Sequence, residues 1–437
     1  VKILLETNMA TTAKTVGASK SIALGEQRSY SEIIEFLDKN WVKSFNDPHL
    51  TIMKALDKAL GEPSKKIRSI IINGTNGKSL TANFCAKLFA HEGVKVGSFY
   101  GPHNLSYNER FSYNGETISN KAFTEVANEV INAAVTAQIK ASSFELLTMI
   151  ALTYFTQQGC DVALLESFQN GTCDPTFICT PTIFVITRLA SEEFDPKAEG
   201  SAQKVAHILA GVKAGTVVVS GDQSKLNLQI MEQTTKECGG VWEMPIRKLA
   251  ILQYPFEQLH GRCGALAERI CKIFVERASQ TNELLLQSKL LTPQEGKRGR
   301  PSLEAKRLAD QNQQKTLTQF WKEEVASLPG RFHLLDKENP SVLLDNAYNI
   351  DSIENLLLGI RLLNYQRRQR PLKGLALIFA CDKNQMNVEQ FLRLLRYFTK
   401  RNSAHVIICP IKAVVPGIFE ESWDVAEVMQ QIQSMKI

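Results

Sequence analysis

The stretch Ile70-Ile71-Ile72-Asn73-Gly74-Thr75-Asn76-Gly77-Lys78-Ser79-Leu80-Thr81 decides how the chain is read. A β-branched run predicts a buried strand. Two glycines predict a tight turn whose backbone N–H groups converge on an anion, because glycine accepts positive φ and close approach. Helix-forming sequence from Thr81 to His91 then places the positive end of a helix at the same point. Strand, glycine loop, Lys-Ser and helix together predict a phosphate cradle. Gly74, Thr75, Asn76 and Gly77 form its wall, Lys78 reaches the β- and γ-phosphates, and Ser79 or Thr81 offers a hydroxyl to Mg²⁺. The loop is shorter than the usual G-x-x-x-x-G-K-[ST] form, so it does not settle the function by itself.

Outward from this loop, strands and helices alternate. Val94 to Tyr100, Asp161 to Glu166, Thr182 to Thr187 and Thr216 to Val219 read as strands; Asn120 to Thr136, Phe144 to Phe155 and Arg262 to Ala278 read as helices. That alternation predicts a parallel sheet with helices on both faces. His103 follows the second strand and Glu166 ends the third, both at the carboxyl ends where open α/β sheets bind ligands. Residues 222–270 give a mixed signal. After Pro329-Gly330-Arg331 a second βα pattern begins, with strands at Ser341 to Asp345, Gly374 to Ala380 and His405 to Cys409.

The expected organisation is therefore a leader over 1–28, an N-terminal P-loop domain over 29–280, a polar and basic insertion over 281–328, and a smaller C-terminal α/β domain over 329–437. The insertion carries Arg298-Gly299-Arg300-Pro301, which looks like an AT-hook core, and Gln314 to Trp321, which fits a sliding-clamp-binding peptide. Both patterns are short and frequent by chance. A solvated basic linker followed by an amphipathic helix accounts for them, and nucleic acid is not expected as a partner.

The composition, 44% hydrophobic and 22% charged, is that of a globular protein, and its +6 net charge is too diffuse to argue for nucleic acid. No apolar run approaches the roughly 18 residues that span a bilayer. Nine scattered cysteines without a C-x-x-C pair predict reduced thiols and a cytoplasmic setting. A leader rich in Ser, Thr, Ala and Lys leaves an organellar matrix open.

The pieces together resemble the folylpolyglutamate synthase/dihydrofolate synthase family, relatives of the Mur ligases. The resemblance rests on the loop Gly74-Thr75-Asn76-Gly77-Lys78, on Pro102-His103 with Glu109-Arg110-Phe111 and Asn114-Gly115, and on Ser143-Phe144-Glu145-Leu146-Leu147-Thr148. It continues through Glu166, Asp174, Pro329-Gly330-Arg331-Phe332, Asp345-Asn346-Ala347-Tyr348-Asn349 and Asp382-Lys383. It implies a Mur-ligase-like α/β fold, an N-terminal P-loop domain with a parallel sheet plus a smaller C-terminal α/β domain, and a monomer. It also implies ATP-driven addition of L-glutamate to a pteroate or folate carboxylate, with Mg²⁺ held by Ser79 and Glu166 and nucleotide contacts from Arg331 and Asp345. Lys78, Glu166 and His103 are the implied catalytic residues.

The chain departs from the family pattern where the chemistry lies. Glu193 stands where the family has a Mg²⁺-binding His, Leu209 where it has a carbamylated Lys, Gly264 where it has an adenine-side Asn, and Tyr348 where it has a His. Carboxylate is a compatible Mg²⁺ ligand, so Glu193 stays in the expected metal set; Leu209 has no substitute nearer than Lys213, one helical turn on. A second reading follows, a catalytically impaired paralogue that serves as a nucleotide-binding or structural subunit.

Overall fold

The computed structural model describes residues 25–42, 46–169, 171–190, 200–280, 290–291, 316–323, 328–366, 375–380, 386–400, 404–409 and 423–435. Residues 1–24 of the leader, most of the 281–328 segment with its AT-hook-like motif, Glu193 and Asp382-Lys383 lie outside them.

The central element is β1 (Arg68–Asn73), a strand buried from Ser69 onward, which is why its Ile-Ile-Ile run is continuous and not alternating. It lies between β5 (Val162–Glu166) and β6 (Ile183–Ile186), parallel to both. The same sheet carries β2 (Val96–Phe99) beside β5, β7 (Val217–Ser220) beside β6, and β8 (Val241–Trp242) at one edge, all parallel. An antiparallel hairpin, β3 (Phe111–Tyr113) and β4 (Glu116–Thr117), forms the other edge. Its turn is Asn114-Gly115, both at positive φ, so the pair read as a family motif is physically the chirality match for a two-residue hairpin. The register sets Ile72 opposite Glu166 and Asn73 opposite Ile186. The parallel strands therefore end together, and their following loops collect along one side of the sheet.

Two helical layers cover the sheet. On one face α3 (Lys78–His91) packs with α8 (Phe256–Gln280) over Ile70, Ile72, Val185 and Val219. On the other, α1 (Tyr30–Lys39), α2 (Thr51–Ala59), α4 (Asn120–Thr136), α5 (Ser143–Gln157) and α6 (Ser201–Ile208) cover Ile71, Leu165, Phe184 and Val218. A capping box starts α5, with Glu145 accepting from the Ser142 N–H at 2.7 Å, so the Phe-Glu segment begins a helix as the resemblance implied. Within the mixed stretch, α7 (Lys225–Glu237) and β8 emerge, and the last helix starts at Phe256, six residues before the expected Arg262.

Helical residues 316–323 (α9) correct one expectation. Phe320 and Trp321 are buried, the indole lies 5.1 Å edge-on to Phe84, and its N–H donates to the Glu268 carboxylate at 2.6 Å. The aromatic pair of the clamp-peptide pattern is thus part of the N-terminal core, where burial is worth about 2 kcal/mol per side chain. It is not displayed for a partner.

The C-terminal part has its own core. An antiparallel pair, β9 (His333–Leu335) and β10 (Val342–Leu344), and a parallel pair, β11 (Leu375–Phe379) and β12 (Ala404–Ile408), pack with α10 (Ile350–Gln366), α11 (Val388–Thr399) and α12 (Val425–Met435). Phe391, Leu392, Leu395, Phe398 and Trp423 are its buried centre. Among the described residues no helix is long and apolar enough to cross a membrane.

Candidate active site

Gly74, Gly77, Lys78, Ser79, His103 and Glu166 all sit where β1, β2 and β5 end. Gly77 caps α3 at φ 89° and Gly74 lies at φ 129°, so the loop between them turns through conformations that favour glycine. Lys78 is the first residue of α3, and its ammonium folds over the loop, donating to the Gly74 carbonyl at 2.7 Å and the Thr75 carbonyl at 3.3 Å. The β1 end is fixed by the Asn73 amide, which donates to Ser167 Oγ at 2.8 Å, and by Thr187 Oγ1, which donates to the Asn76 carbonyl at 2.8 Å.

Gly101 is the meeting point on the other side of the helix start. Its N–H donates to the Glu166 carboxylate at 3.0 Å, and its carbonyl accepts from Ser79 Oγ at 3.0 Å and from Arg331 Nη2 at 3.1 Å. Arg331 Nη2 also donates to Ser79 Oγ at 3.2 Å. The loop helix, the Glu166 carboxylate at the end of β5 and the C-terminal part are thus joined through one glycine. Of the two hydroxyls expected at the metal, Ser79 lies in this cluster; Thr81, one turn into α3, is fully buried. Asp345 accepts from the Phe332 N–H at 2.7 Å, and burial raises its pKa. It orders the Gly330-Arg331-Phe332 turn, which delivers the Arg331 guanidinium.

His103 is held, not loose. Its Nδ1 accepts from Arg110 Nε at 2.8 Å and its ring lies 4.2 Å from Tyr107. Burial, with the Arg110 cation adding to it, pushes the imidazole down to about 4. With Nδ1 accepting, the neutral ring carries its proton on Nε2, so His103 offers a hydrogen-bond donor. Arg110 is itself buried, which lowers its pKa to about 10 and leaves it a cation at neutral pH. Asp174 accepts four hydrogen bonds, from the Phe168, Gln169 and Thr176 N–H groups and from Thr176 Oγ1. It folds the loop after β5.

The altered positions are resolved as follows. Leu209 is fully buried in the hydrophobic core, and Lys213 donates to Thr180 Oγ1 at 2.9 Å, so neither replaces a carbamylated lysine. Tyr348 donates to the Thr75 carbonyl at 2.9 Å, so it grips the phosphate loop and is not a core tyrosine. Gly264 faces Ala250 and Leu252 on the α8 side, where a Cβ would come within 2.9 Å of Ala250 Cβ.

Asn349, quoted in the 345–349 motif without a role, and two residues that no motif included, Arg188 and Asp351, complete the loop's contacts. Asn349 exchanges hydrogen bonds with Asn76 at 3.1 Å in both directions, Asp351 Oδ2 accepts from Asn76 Nδ2 at 2.7 Å, and Arg188 pairs with Asp351 at 2.7 Å. Arg188 had a signal, since it directly follows a strand predicted to end at the ligand edge.

Ser79 and Glu166 are hard oxygen donors of the kind Mg²⁺ takes, and both are tied to Gly101, one at its carbonyl and one at its N–H. A second site of carbamyl-lysine type does not fit, because Leu209 is apolar and buried. Among the described residues no group of three or more His, Cys, Asp or Glu side chains gathers to hold a metal.

One expectation concerns pH. Burial also lowers His260, at the start of α8, to about 4; its ring lies 5.4 Å from Phe256 and 6.3 Å from Phe332. In the unfolded chain both His103 and His260 bind protons near pH 6.5; in the folded chain they do so only near 4. The unfolded state therefore gains protons first as pH falls, and stability should decline through that window. Urea midpoints measured from pH 7.5 to 4 should show the decline, and His260→Leu should make it shallower. A variant profile that parallels the wild type would contradict this assignment.

A parallel sheet ending in a glycine-lysine loop, closed by a second α/β domain through Arg331 and Tyr348, defines a Mur-ligase-like P-loop protein. No family model matches the chain. It is 27% identical over 321 residues to the dihydrofolate synthase/folylpolyglutamate synthase of Bacillus subtilis, covering 71% of each protein. It is 24% identical over 354 residues to the folylpolyglutamate synthase of Lacticaseibacillus casei, covering 76% of this chain and 77% of that one. Its structure matches that of Mycobacterium tuberculosis folylpolyglutamate synthase complexed with ADP, with a TM-score of 0.68 at 18% identity over 93% of this chain and 86% of the other. The chain is thus similar to folylpolyglutamate synthases and dihydrofolate synthases over about 71–76% of its length.

Proposed function

We propose that the protein is an ATP-dependent amide ligase that joins L-glutamate to the carboxylate of a pteroate or folate. The observation that carries the reading is the convergence of Ser79, Glu166 and Arg331 on Gly101, beside a phosphate loop covered by Lys78, in a chain similar to such a ligase over 71% of its length. In this reading the carboxylate takes the γ-phosphoryl group from ATP, the amine of glutamate attacks the acyl phosphate, and phosphate leaves. The loop N–H groups and Lys78 bind the phosphates, and Arg331 adds charge from the second domain. Ser79 and Glu166 would hold Mg²⁺, which when bound neutralises charge on the transferring phosphoryl oxygens. His103, neutral and fixed by Arg110, would offer its Nε2 proton as a hydrogen-bond donor to the substrate. Phosphoryl transfer depends on positioning and charge more than on proton transfer, so a chain without the carbamyl-lysine site retains the groups that the step uses most.

We place the protein in the cytoplasm as a monomer. Support comes from its described cysteines, all of them free thiols, as expected in a reducing compartment. The test is phosphate release from ATP and Mg²⁺ with glutamate and either dihydropteroate or tetrahydrofolate. Release that requires both the pterin and glutamate is expected. Retained ATP binding without release for any pterin would overturn the ligase reading and leave a nucleotide-binding paralogue.

A further inference from the structure

We propose that Arg188 is a phosphate-binding residue of the ATP site and that Asp351, from the second domain, positions it. The inference rests on the ATP-ligase reading. Its first support is backbone geometry. Arg188 leaves β6 beside β1, and its carbonyl accepts the Thr75 N–H at 2.7 Å. A Cβ placed on Gly74 would lie 3.0 Å from the Arg188 carbonyl oxygen and 3.1 Å from its nitrogen. The residue is therefore part of the loop's wall whatever its side chain does.

The side chain is half exposed at that wall and is tethered. Asp351 is 8% exposed and is shared: one oxygen meets Arg188 Nη2 and the other accepts from Asn76 Nδ2, each at 2.7 Å. One carboxylate thus links the guanidinium to Asn76 of the phosphate loop, and the tether comes from the domain that also supplies Tyr348 and Asn349 to Thr75 and Asn76.

The charge balance points to an anion. Lys78 covers the same loop, and Arg262 on α8 is near enough for the Arg188 charge to work against its own. Facing them are Asp351, already divided between Arg188 and Asn76, and Asp222, which accepts from the Leu189 and Ser224 N–H groups. An ion pair serving only to dock two domains gains nothing from like charges beside it. A planar guanidinium fork next to a lysine at the start of α3 suits the oxygens of a polyphosphate.

Equilibrium titration of the full chain with ADP and with adenosine tests the assignment without turnover, since the two ligands differ in the phosphates alone. Arg188→Ala should weaken ADP by about ten-fold or more, the scale of one lost charge-assisted hydrogen bond, and leave adenosine unchanged. Arg188→Lys should recover part of the loss, and Asp351→Asn should produce a smaller one. Thermal melts check folding, and Arg188→Gln gives the same readout if the alanine variant does not fold. ADP binding by Arg188→Ala within about two-fold of wild type, or equal losses for ADP and adenosine, would overturn the proposal and mark a purely interdomain ion pair. Wild-type protein that binds neither ligand would instead defeat the ATP reading, and the proposal with it.

Discussion

Replacing Lys78 with alanine should reduce pterin-dependent phosphate release by about 10³-fold, the usual scale for removing one preorganised group that stabilises transition-state charge. The geometry says why so much should rest on one side chain. Lys78 begins α3 immediately after the left-handed Gly77 cap, so its stem rises from the mouth of the loop. Its ammonium already lies across the loop, bonded to the Gly74 and Thr75 carbonyls. A group held there meets a phosphate with little reorganisation, and no other lysine of the described loop region shares the position. The fold should survive, because α3 is anchored by Leu80, Phe84, Cys85, Leu88 and Phe89, none of which depends on the ammonium. The expected result is loss of release and weaker ADP binding, with a melting temperature within a few degrees of wild type. A variant that keeps release within ten-fold of wild type would remove Lys78 from the mechanism.

The parts of this site that the sequence disclosed are those whose chemistry is local. Gly74, Gly77, Lys78 and Ser79 announce a phosphate loop because turn, cation and hydroxyl are adjacent in the chain. β1, β5, β6 and β7 were legible for a related reason: strands buried on both faces read as unbroken apolar runs. The hairpin at Phe111–Thr117 was not, since its strands of three and two residues carry no periodicity and its Asn-Gly turn was absorbed into a motif. Phe320 and Trp321 were misjudged for another reason. Their polar neighbours set the character of the whole segment, whereas their fate was decided by Phe84 and Glu268, which lie far away in sequence. Distance also hid the domain contact. Tyr348 and Thr75 are 273 residues apart, and the pairing of Arg188 with Asp351 exists only once the domains are docked. Leu209 is the instructive intermediate case: its inability to hold metal was plain from residue type, and the structure adds that it is committed to the core.

Gly74→Ala should be the most damaging single-atom change in the loop. Two independent costs fall on the same residue. Its φ of 129° lies where L-residues are strained, a penalty of about 1–3 kcal/mol. The added Cβ would also come 2.3 Å from Thr187 Oγ1 and 3.0 Å from the Arg188 carbonyl oxygen. Thr187 cannot simply turn aside, because its hydroxyl bonds the carbonyls of Asn73 and Asn76. The Arg188 carbonyl cannot retreat either without losing the Thr75 N–H. Relief must therefore come from the loop backbone, and that displaces the N–H groups that would cradle the phosphates. Destabilisation by about 3 kcal/mol or more is expected, together with loss of ADP binding in whatever fraction stays folded. Gly77→Ala is the informative control. It too sits at positive φ, but its Cβ would come close to the Cys263 thiol alone, at 2.9 Å, with Thr187 Cβ at an ordinary 3.9 Å, and a small side-chain shift relieves the thiol contact. The paired urea denaturations and ADP titrations should rank Gly74→Ala as clearly the worse of the two. The reverse order would mean that helix capping, and not the wall formed by Thr187 and Arg188, governs the shape of the loop.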